Sequence, residues 1–317
     1  MEYRKVGRSG LTVSEIAYGS WLTFANQVEL ENAKEMIRKA FELGINYIDT
    51  ADVYAGGEAE SLLGEILPGY NRRQFVIATK AFWPMSDAPT DRGLSRKHIR
   101  DSIEGSLDRL KLNYVDLFYC HRFDPEVPLV ETLEAVEDMI RQGKAHYWGT
   151  SEWTAGQIAE AREICREKGW HLPIINQPAY NMINRGIERE VLPTCMSFGM
   201  GTANFSPLAQ GILTGKYSGG IVPEGSRGAD SALNMFMKDQ ISDMELLSRV
   251  DALGEIAAGY DLSIAQLALA WILRHDGISS VITGASSVRQ LESNVRASGI
   301  RLSEEDLRRI DALFPVC

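Results

Sequence analysis

Eight short apolar runs alternate with amphipathic helical segments along the chain, and this rhythm restricts the possible folds more than any other feature. The candidate strands are residues 16–21, 47–49, 75–79, 115–119, 145–149, 174–176, 202–205 and 281–283. Between them, apolar side chains recur with the period of an α-helix, as in the face formed by Leu30, Ala33, Ile37, Ala40 and Phe41. Strands that alternate with helices pair in parallel through right-handed crossovers.

Eight such repeats in 317 residues favour a closed barrel over an open sheet. The predicted fold class is therefore α/β, a (β/α)8 TIM barrel that forms a single domain over residues 1–317. Residues 3–6 and 12–16 predict an N-terminal β-hairpin, and residues 303–317 predict an extra C-terminal helix. The helix-start signals are Ser95 and two pairs with capping-box spacing, Ser263 with Gln266 and Ser303 with Asp306.

The composition is that of an ordinary globular protein, with 44% hydrophobic and 24% charged residues. A net charge of −10 argues against a nucleic-acid partner, because phosphate backbones are bound by basic patches. The opening residues MEYRKVGRSG contain no apolar segment of a signal peptide, and no run reaches the roughly 18 apolar residues that span a bilayer. We therefore expect a cytoplasmic protein without membrane insertion. Free thiols are expected at the four widely spaced cysteines, Cys120, Cys165, Cys195 and Cys317.

A stretch rich in glycine, serine and proline occupies residues 218–231, inside the seventh strand–helix unit. Such a composition fits either a domain linker or a loop over the mouth of the barrel. We favour the loop, because barrel loops carry function.

Four polar residues follow successive candidate strands or lie just beyond them: Asp49, Tyr54, Lys80 and His121. A single lysine at a strand end is usually just solvated. In a barrel, however, the C-terminal ends of all strands face one mouth, which is where active sites of this fold lie. Four such residues on one rim are a much less probable accident, so we expect them to form a site.

These residue types suit the reduction of a carbonyl, which needs a hydride on carbon and a proton on oxygen. A free tyrosine has a pKa of about 10 and is a poor acid at neutral pH. We expect Lys80 to lower the pKa of Tyr54 by stabilising the phenolate, and Asp49 to keep Lys80 charged. His121 would donate a second hydrogen bond to the developing oxyanion or relay protons. This scheme requires no metal.

The run GINYIDTADVY at residues 44–54, followed by EAESLLG at 58–64, resembles the signature of the aldo-keto reductases. Thr79-Lys80 and His121-Arg122 match the next two catalytic positions of that family, and the resemblance extends over essentially the whole chain. It is strongest to the branch of voltage-gated potassium channel β subunits and their plant and bacterial relatives. The segments behind this likeness are residues 92–99, 147–151, 206–209 and 215–217.

The Rossmann fingerprint GxGxxG is absent, so an open-sheet dinucleotide domain is unsupported. The resemblance instead implies that NADP(H) lies across the barrel mouth. It places Ser151 and Gln177 on the nicotinamide, which would face Asp49 and Tyr54. The remaining cofactor contacts that it implies are Ser20, Trp21, Gln27, Phe205, Ser206, Pro207, Leu208, Gly211, Lys216, Arg227, Gly284, Ser286, Gln290 and Asn294. Of these, Lys216 and Arg227 would be cations near the pyrophosphate, and the last four would take the adenosine end.

Two positions depart from the family pattern. Glu152 stands where many members have asparagine next to the carboxamide-binding serine. Gln290, beside Arg289, stands where many members place an arginine against the 2′-phosphate. Ser287 and Gln290 also fit a plain capping box, which is compatible with phosphate binding at the same helix N-terminus.

Aromatic residues after the first and third strands predict a substrate pocket formed by Trp21, Tyr54, Trp83 and His121. Phe82 and Trp153 are weaker candidates, because aromatic side chains are more often simply core. The implied activity is NADPH-dependent reduction of small aldehydes and ketones, with Tyr54 as proton donor.

Two further interpretations remain open. One is a regulatory protein similar to the channel β subunits, which would use bound NADP(H) as a redox sensor. The animal channel subunits carry asparagine where this chain has His121, and the chain shows no N-terminal extension, both of which favour catalysis. The other is a non-catalytic barrel scaffold. Tetramers and octamers occur in this branch, so a homo-oligomer is possible.

Overall fold

Within the described residues, eight parallel strands close into a barrel. The computed structural model describes residues 1–21, 30–230, 234 and 237–316. The barrel strands are β3 (Ile16–Gly19), β4 (Tyr47–Asp49), β5 (Val76–Ala81), β6 (Val115–Cys120), β7 (Ala145–Ser151), β8 (Ile175–Gln177), β9 (Gly201–Asn204) and β10 (Ile278–Thr283). Strand β10 pairs with β3 and closes the barrel, with Val281 opposite Ile16 and Thr283 opposite Tyr18. The (β/α)8 prediction is thus confirmed.

An antiparallel hairpin precedes the barrel, formed by β1 (Tyr3–Lys5) and β2 (Thr12–Ser14). The helices described by the structure are α1 (Leu30–Glu42), α2 (Glu58–Ile66), α3 (Arg96–Leu110), α4 (Leu129–Arg141), α5 (Ala155–Lys168), α6 (Val191–Phe198), α7 (Lys238–Ser242), α8 (Met244–Ala258), α9 (Ile264–Ile272), α10 (Val288–Val295) and α11 (Glu304–Leu313). Helix α11 is the predicted C-terminal helix. In the described part of the chain, no helix has the length and hydrophobicity needed to cross a bilayer.

Two apolar clusters hold the barrel together. The larger one lies where the helices pack on the barrel wall, and the smaller one fills the barrel interior. Val6 and Val13 of the hairpin segment belong to the interior cluster and are fully buried, so the hairpin covers the N-terminal end of the strands. The opposite, C-terminal end of the barrel is therefore the end left for a site.

A largely buried ion pair between Arg4 and Glu15 connects several segments at the N-terminal end of the barrel. The Glu15 carboxylate, immediately before β3, accepts hydrogen bonds from Arg4 Nε at 2.7 Å and from Ser298 Oγ and Gly299 N at 2.9 Å each. Arg4 also donates to the backbone carbonyls of Leu273, His275 and Ile278. One charge pair thus connects the hairpin, the start of β3 and the segments on either side of β10.

The structure confirms the predicted helix starts, because each serine side chain accepts a hydrogen bond from an amide in the first turn of its helix. Ser95 Oγ accepts from the His98 amide, and Ser303 Oγ accepts from the Asp306 amide. Ser263 and Gln266 form a complete capping box. Cys120, Cys165 and Cys195 are free and buried, as expected, while Cys317 lies outside the described residues.

The glycine-rich segment after β9 reaches the barrel mouth. It contains two short 3-10 turns, at Ser218–Gly220 and Arg227–Ala229. The Arg227 guanidinium carbon lies 5.3 Å from the centroid of the Trp21 ring, which follows β3. This contact supports the loop interpretation over the linker interpretation; residue 231, the end of the predicted segment, lies outside the described residues.

Candidate active site

The barrel brings together the four polar residues predicted from the strand ends. Asp49 is the last residue of β4, Lys80 lies near the end of β5, and His121 directly follows β6. Tyr54 opens a tight turn in which Ala55, Gly56 and Gly57 have left-handed backbone angles, φ = 52°, 63° and 97°. The two glycines adopt these angles without a steric penalty, so the chain turns sharply after Tyr54 and enters α2 at Glu58.

Lys80 is the centre of this group and has no exposed surface. Its ammonium donates to Asp49 Oδ1 at 2.6 Å, to the Thr50 carbonyl at 2.8 Å and to the Tyr54 hydroxyl at 3.1 Å. Burial favours the neutral amine, but Asp49 and Tyr54 outweigh burial, so the pKa of Lys80 is raised above its ordinary value. Lys80 is therefore a cation at neutral pH, as the sequence predicted.

The net pKa of Tyr54 differs from the sequence-based expectation. Burial raises this pKa, and the Lys80 ammonium lowers it by less, so the pKa of the phenol lies above its ordinary value. The expectation of a net lowering was wrong, because it allowed for the neighbouring cation and not for the loss of water around the phenol. Tyr54 consequently keeps its proton at neutral pH and has it available to donate.

His121 is a neutral imidazole beside this pair. Burial, followed by the cations Lys80 and Arg122, holds the pKa of His121 well below its ordinary value. The ring centroid lies 5.9 Å from that of Tyr54, in an edge-on arrangement. Nδ1 of His121 is buried and has no hydrogen-bond partner among the described residues. The ring can therefore donate one hydrogen bond without carrying a charge.

Ser151 and Gln177, the predicted nicotinamide contacts, lie next to Asp49. Gln177 Nε2 donates to Asp49 Oδ2 at 2.8 Å, and Ser151 Oγ donates to the Gln177 carbonyl at 2.9 Å. Ser20, also predicted, donates from its hydroxyl to Thr50 Oγ1 at 2.9 Å. Three of the predicted cofactor contacts are thus within two hydrogen bonds of the Asp49–Lys80 pair.

The loop after β9, which carries the predicted pyrophosphate contacts, has an unusual backbone. Left-handed φ angles occur at Ser206 (52°), Ala209 (45°), Gln210 (58°) and Gly211 (110°). The amides of Ala209 and Gly211 donate to the carbonyls of Ser206 and Leu208, so the chain is tightly turned here. Backbone N–H groups in turns of mixed handedness can form an anion-binding concavity. A Cβ on Gly211 would come within 3.3 Å of Lys216 Nζ, so the predicted cation lies against this loop. Gln210 Oε1 is buried and has no partner among the described residues.

The predicted adenosine end lies around the N-terminus of α10. Ser287 Oγ accepts from the Gln290 amide, but Gln290 Oε1 accepts from the Ser286 amide at 2.7 Å instead of completing a capping box. Gly284, Ser286 and Gln290 are exposed, and Asn294 is buried. The remaining predicted residue, Gln27, lies outside the described residues.

Two tryptophans lie beside the tetrad, the group formed by Asp49, Tyr54, Lys80 and His121. Trp21 is 45% exposed and its ring lies 6.4 Å from Tyr54; Trp83 is 39% exposed and lies 6.3 Å from His121. Phe82 packs edge-on against Trp83. Trp153, by contrast, is buried against Phe123, so its core interpretation is the correct one.

Sequence reasoning missed a pair of buried carboxylates behind the tetrad. Asp52 has no exposed surface and accepts from Ser102 Oγ and from the Val53 amide, both at 2.6 Å. Glu60, also buried, accepts from the Thr79 hydroxyl and from Arg109 Nε. Burial raises the pKa of Asp52 to about 7. The signal was available, because both residues lie within the signature run yet have no role in the expected chemistry.

The parallel barrel with this cluster at its C-terminal mouth is the arrangement of a reductase class of TIM barrels. The chain belongs to the Aldo/keto reductase family, whose model matches residues 15–314. It is similar to a probable voltage-gated potassium channel subunit beta of rice, Oryza sativa subsp. japonica, with 42% identity over 319 residues, 99% of this chain and 96% of the relative.

Two more relatives carry similar names. A probable voltage-gated potassium channel subunit beta of Arabidopsis thaliana is 42% identical, over 94% of this chain and 91% of its own length. A putative subunit of the same kind in Schizosaccharomyces pombe is 40% identical, over 98% and 93%. Family membership supports an oxidoreductase role.

Proposed function

We propose that the protein is an NADPH-dependent reductase of aldehydes and ketones. The observation that carries this proposal is the buried contact of Lys80 with both Asp49 and Tyr54. A cation held beside a protonated phenol is a means of protonating an oxygen that gains negative charge. His121 adds a neutral hydrogen-bond donor on the same side of the barrel.

The residues at the mouth fit NADP(H). Ser151 and Gln177 offer a hydroxyl and an amide beside Asp49, as a carboxamide requires. The left-handed loop at 206–211 with Lys216 suits a pyrophosphate, and the exposed N-terminus of α10 with Ser286 suits a further phosphate. A local cation such as Lys216 would be needed to attract the anionic cofactor, because the chain as a whole carries a charge of −10.

The tetrad divides the chemistry among its members. When bound, the cofactor supplies a hydride for the carbonyl carbon. Tyr54 donates its Oη proton to the carbonyl oxygen, and Lys80 stabilises the phenolate that remains. Asp49 keeps Lys80 charged and fixes its direction. His121 donates to the same oxygen as charge develops there, which is the contribution of an oxyanion hole.

Cofactor binding is the first test. NADPH and NADH are titrated by fluorescence into the wild type, K216Q and K168Q, a lysine on the exposed end of α5 that serves as charge control. We expect NADPH to bind more tightly than NADH, and K216Q to weaken it about tenfold, since one charged hydrogen bond contributes roughly 1.5 kcal/mol or more. Absence of NADPH binding to the wild type would refute the proposal.

Turnover is the second test. NADPH oxidation is followed with 4-nitrobenzaldehyde and with methylglyoxal, and the alcohol product is identified. Alcohol formed in equal amount to NADPH consumed supports the proposal. No reduction of either carbonyl, despite NADPH binding, counts against it.

A regulatory role remains the second candidate, and the names of the 40–42% identical relatives favour it. In that role the same NADP(H) site would report redox state to a membrane channel. A pull-down with the tagged protein from the membrane fraction of its own cells, analysed by mass spectrometry, separates the two. Recovery of a potassium channel together with negligible turnover would favour regulation.

A further inference from the structure

Arg122 lies next to His121 at the C-terminal mouth of the barrel. It directly follows His121, and its guanidinium carbon lies 5.6 Å from the centroid of the Trp83 ring. Its Nη1 donates to the His121 carbonyl at 2.5 Å and to Ser151 Oγ at 3.4 Å. The backbone and the indole therefore hold this cation beside the position proposed for the carbonyl substrate.

Arg122 makes no ion pair with the described residues, in contrast to three other partly or fully buried arginines. Arg72 lies 2.6 Å from Asp116, and Arg109 and Arg185 each lie 2.8 Å from a glutamate, Glu60 and Glu188. In the described part of the chain, by contrast, no carboxylate oxygen is within 4.0 Å of the Arg122 guanidinium.

The carboxylate of the nearby Glu152 binds a backbone amide and makes no ion pair with Arg122. Glu152 Oε1 accepts from the Ala179 amide at 2.6 Å, and the Glu152 backbone is left-handed, with φ = 58°. Burial lowers the pKa of Arg122, and Glu152 and Tyr54 raise it by less. A guanidinium has five N–H donors in a planar fork. The described residues accept hydrogen bonds from Nη1 alone, which leaves the rest of the fork for a ligand.

We propose that Arg122 binds an anionic group of the substrate, so that the site prefers carbonyl compounds bearing a carboxylate a few bonds from the reacting carbon. This inference rests on the proposed reductase function and names its substrate class. A carboxylate matches the fork of an arginine in two parallel hydrogen bonds. Since the protein carries a net charge of −10, selection of an anion requires a local cation of this kind. Arg122 is thus a specificity residue.

The test compares 4-carboxybenzaldehyde with its methyl ester, which lacks the negative charge and carries one extra methyl group, in the wild type and in R122Q, R122K and R166Q. Arg166, on the exposed end of α5, is the matched control for the loss of one positive charge. We expect the wild type to have the higher kcat/KM with the acid. R122Q should lower the acid-to-ester ratio of kcat/KM by about 10- to 100-fold, mainly through the KM of the acid. R122K should fall between, and R166Q should keep the wild-type ratio.

Two results would overturn the inference. The first is a wild-type ratio at or below one. The second is an equal loss for acid and ester in R122Q, which would mean that Arg122 acts only through Tyr54 and His121. A preference for the acid that weakens with added salt in the wild type supports the inference, because partly exposed charge pairs are screened.

A binding measurement keeps the inference testable if no turnover is found. Benzoate is titrated into each variant, and tryptophan fluorescence reports its approach to Trp83. Benzoate binding that is lost in R122Q and kept in R166Q supports the inference even without reductase activity. NADPH binding and ester reduction with no benzoate binding would leave the proposed function standing and overturn the role of Arg122.

Discussion

The Lys80 ammonium donates to Asp49 Oδ1 at 2.6 Å, and both side chains are buried at the C-terminal mouth of the barrel. A cation without exposed surface needs a carboxylate partner, since its transfer out of water is otherwise very unfavourable. This pair is therefore as important for the folded state as for the chemistry proposed for Tyr54.

Asp49→Asn leaves Lys80 buried without its carboxylate. We expect a loss of about 3–5 kcal/mol in the free energy of unfolding, measured by urea denaturation. Without Asp49, burial dominates and the pKa of Lys80 falls, so the alkaline limb of the reduction rate should move to lower pH. Asp101→Asn is the control, because Asp101 pairs with Lys97 on the surface and such pairs contribute about 0–1 kcal/mol. Equal stability losses in both variants would contradict this account.

The neutral state of His121 predicts the acid side of the rate profile. Because the pKa of His121 lies well below its ordinary value, its protonation state does not change near pH 6.5. The raised pKa values of Tyr54 and Lys80 place their proton losses on the alkaline side. We expect kcat/KM for reduction to show no titration step near pH 6.5 that depends on His121. A step there that disappears in His121→Asn would show that His121 works as a cation.

The buried Asp52 predicts a pH-dependent stability. Its folded-state pKa of about 7 exceeds its usual value, so the folded protein binds this proton more tightly than the unfolded chain does. The associated stability is fully present below about pH 4 and is lost as the pH rises through 7. It amounts to about 4 kcal/mol, because the folded-state pKa of about 7 lies well above the ordinary value of 3.8.

Urea denaturation between pH 5 and 8 measures this effect. The wild type should lose stability over that range, and Asp52→Asn, which mimics the protonated carboxyl, should lose less. Asp108→Asn, a change on the surface of α3, should follow the wild type. Identical pH slopes in all three proteins would rule out a buried protonated Asp52.

The Glu15 contact at the N-terminal end of the barrel predicts stability without an effect on catalysis. Glu15→Ala leaves Arg4 without its carboxylate, and we expect a loss of about 3–5 kcal/mol in the free energy of unfolding. Glu65→Ala, which removes an exposed pair with Lys111, is the control and should lose much less stability than Glu15→Ala. At temperatures where Glu15→Ala is folded, its kcat should match the wild type. A kcat lowered tenfold would indicate coupling between the two ends of the barrel.

The sequence alone was enough to predict which residues at the strand ends lie close together. Asp49 and Lys80 could be placed together because neighbouring parallel strands end on the same rim of a barrel. The hydrophobic periodicity likewise located the eight strands to within a few residues of their observed bounds, with the largest difference at β10, which begins at Ile278.

The quantities that depend on burial could not be read from the sequence. The net pKa of Tyr54 follows from the water excluded around it, and local motifs do not report that exclusion. The same reason explains the failure to foresee Asp52, whose environment is created by Ser102 on α3, 50 residues away. Gln290 Oε1 accepts from the Ser286 amide and not from the Ser287 amide that a capping box would use. The sequence spacing allows both partners and therefore does not decide between them.

In the proposed reaction, the phenol of Tyr54 delivers the proton to the carbonyl oxygen. The most direct measurement is the single-turnover rate of NADPH oxidation with 4-nitrobenzaldehyde, in the wild type and in Tyr54→Phe, with NADPH binding measured for both proteins. We predict that Tyr54→Phe binds NADPH and oxidises it at least about 100-fold more slowly, as expected for the loss of a general acid. A Tyr54→Phe rate within a factor of two of the wild type would contradict the claim.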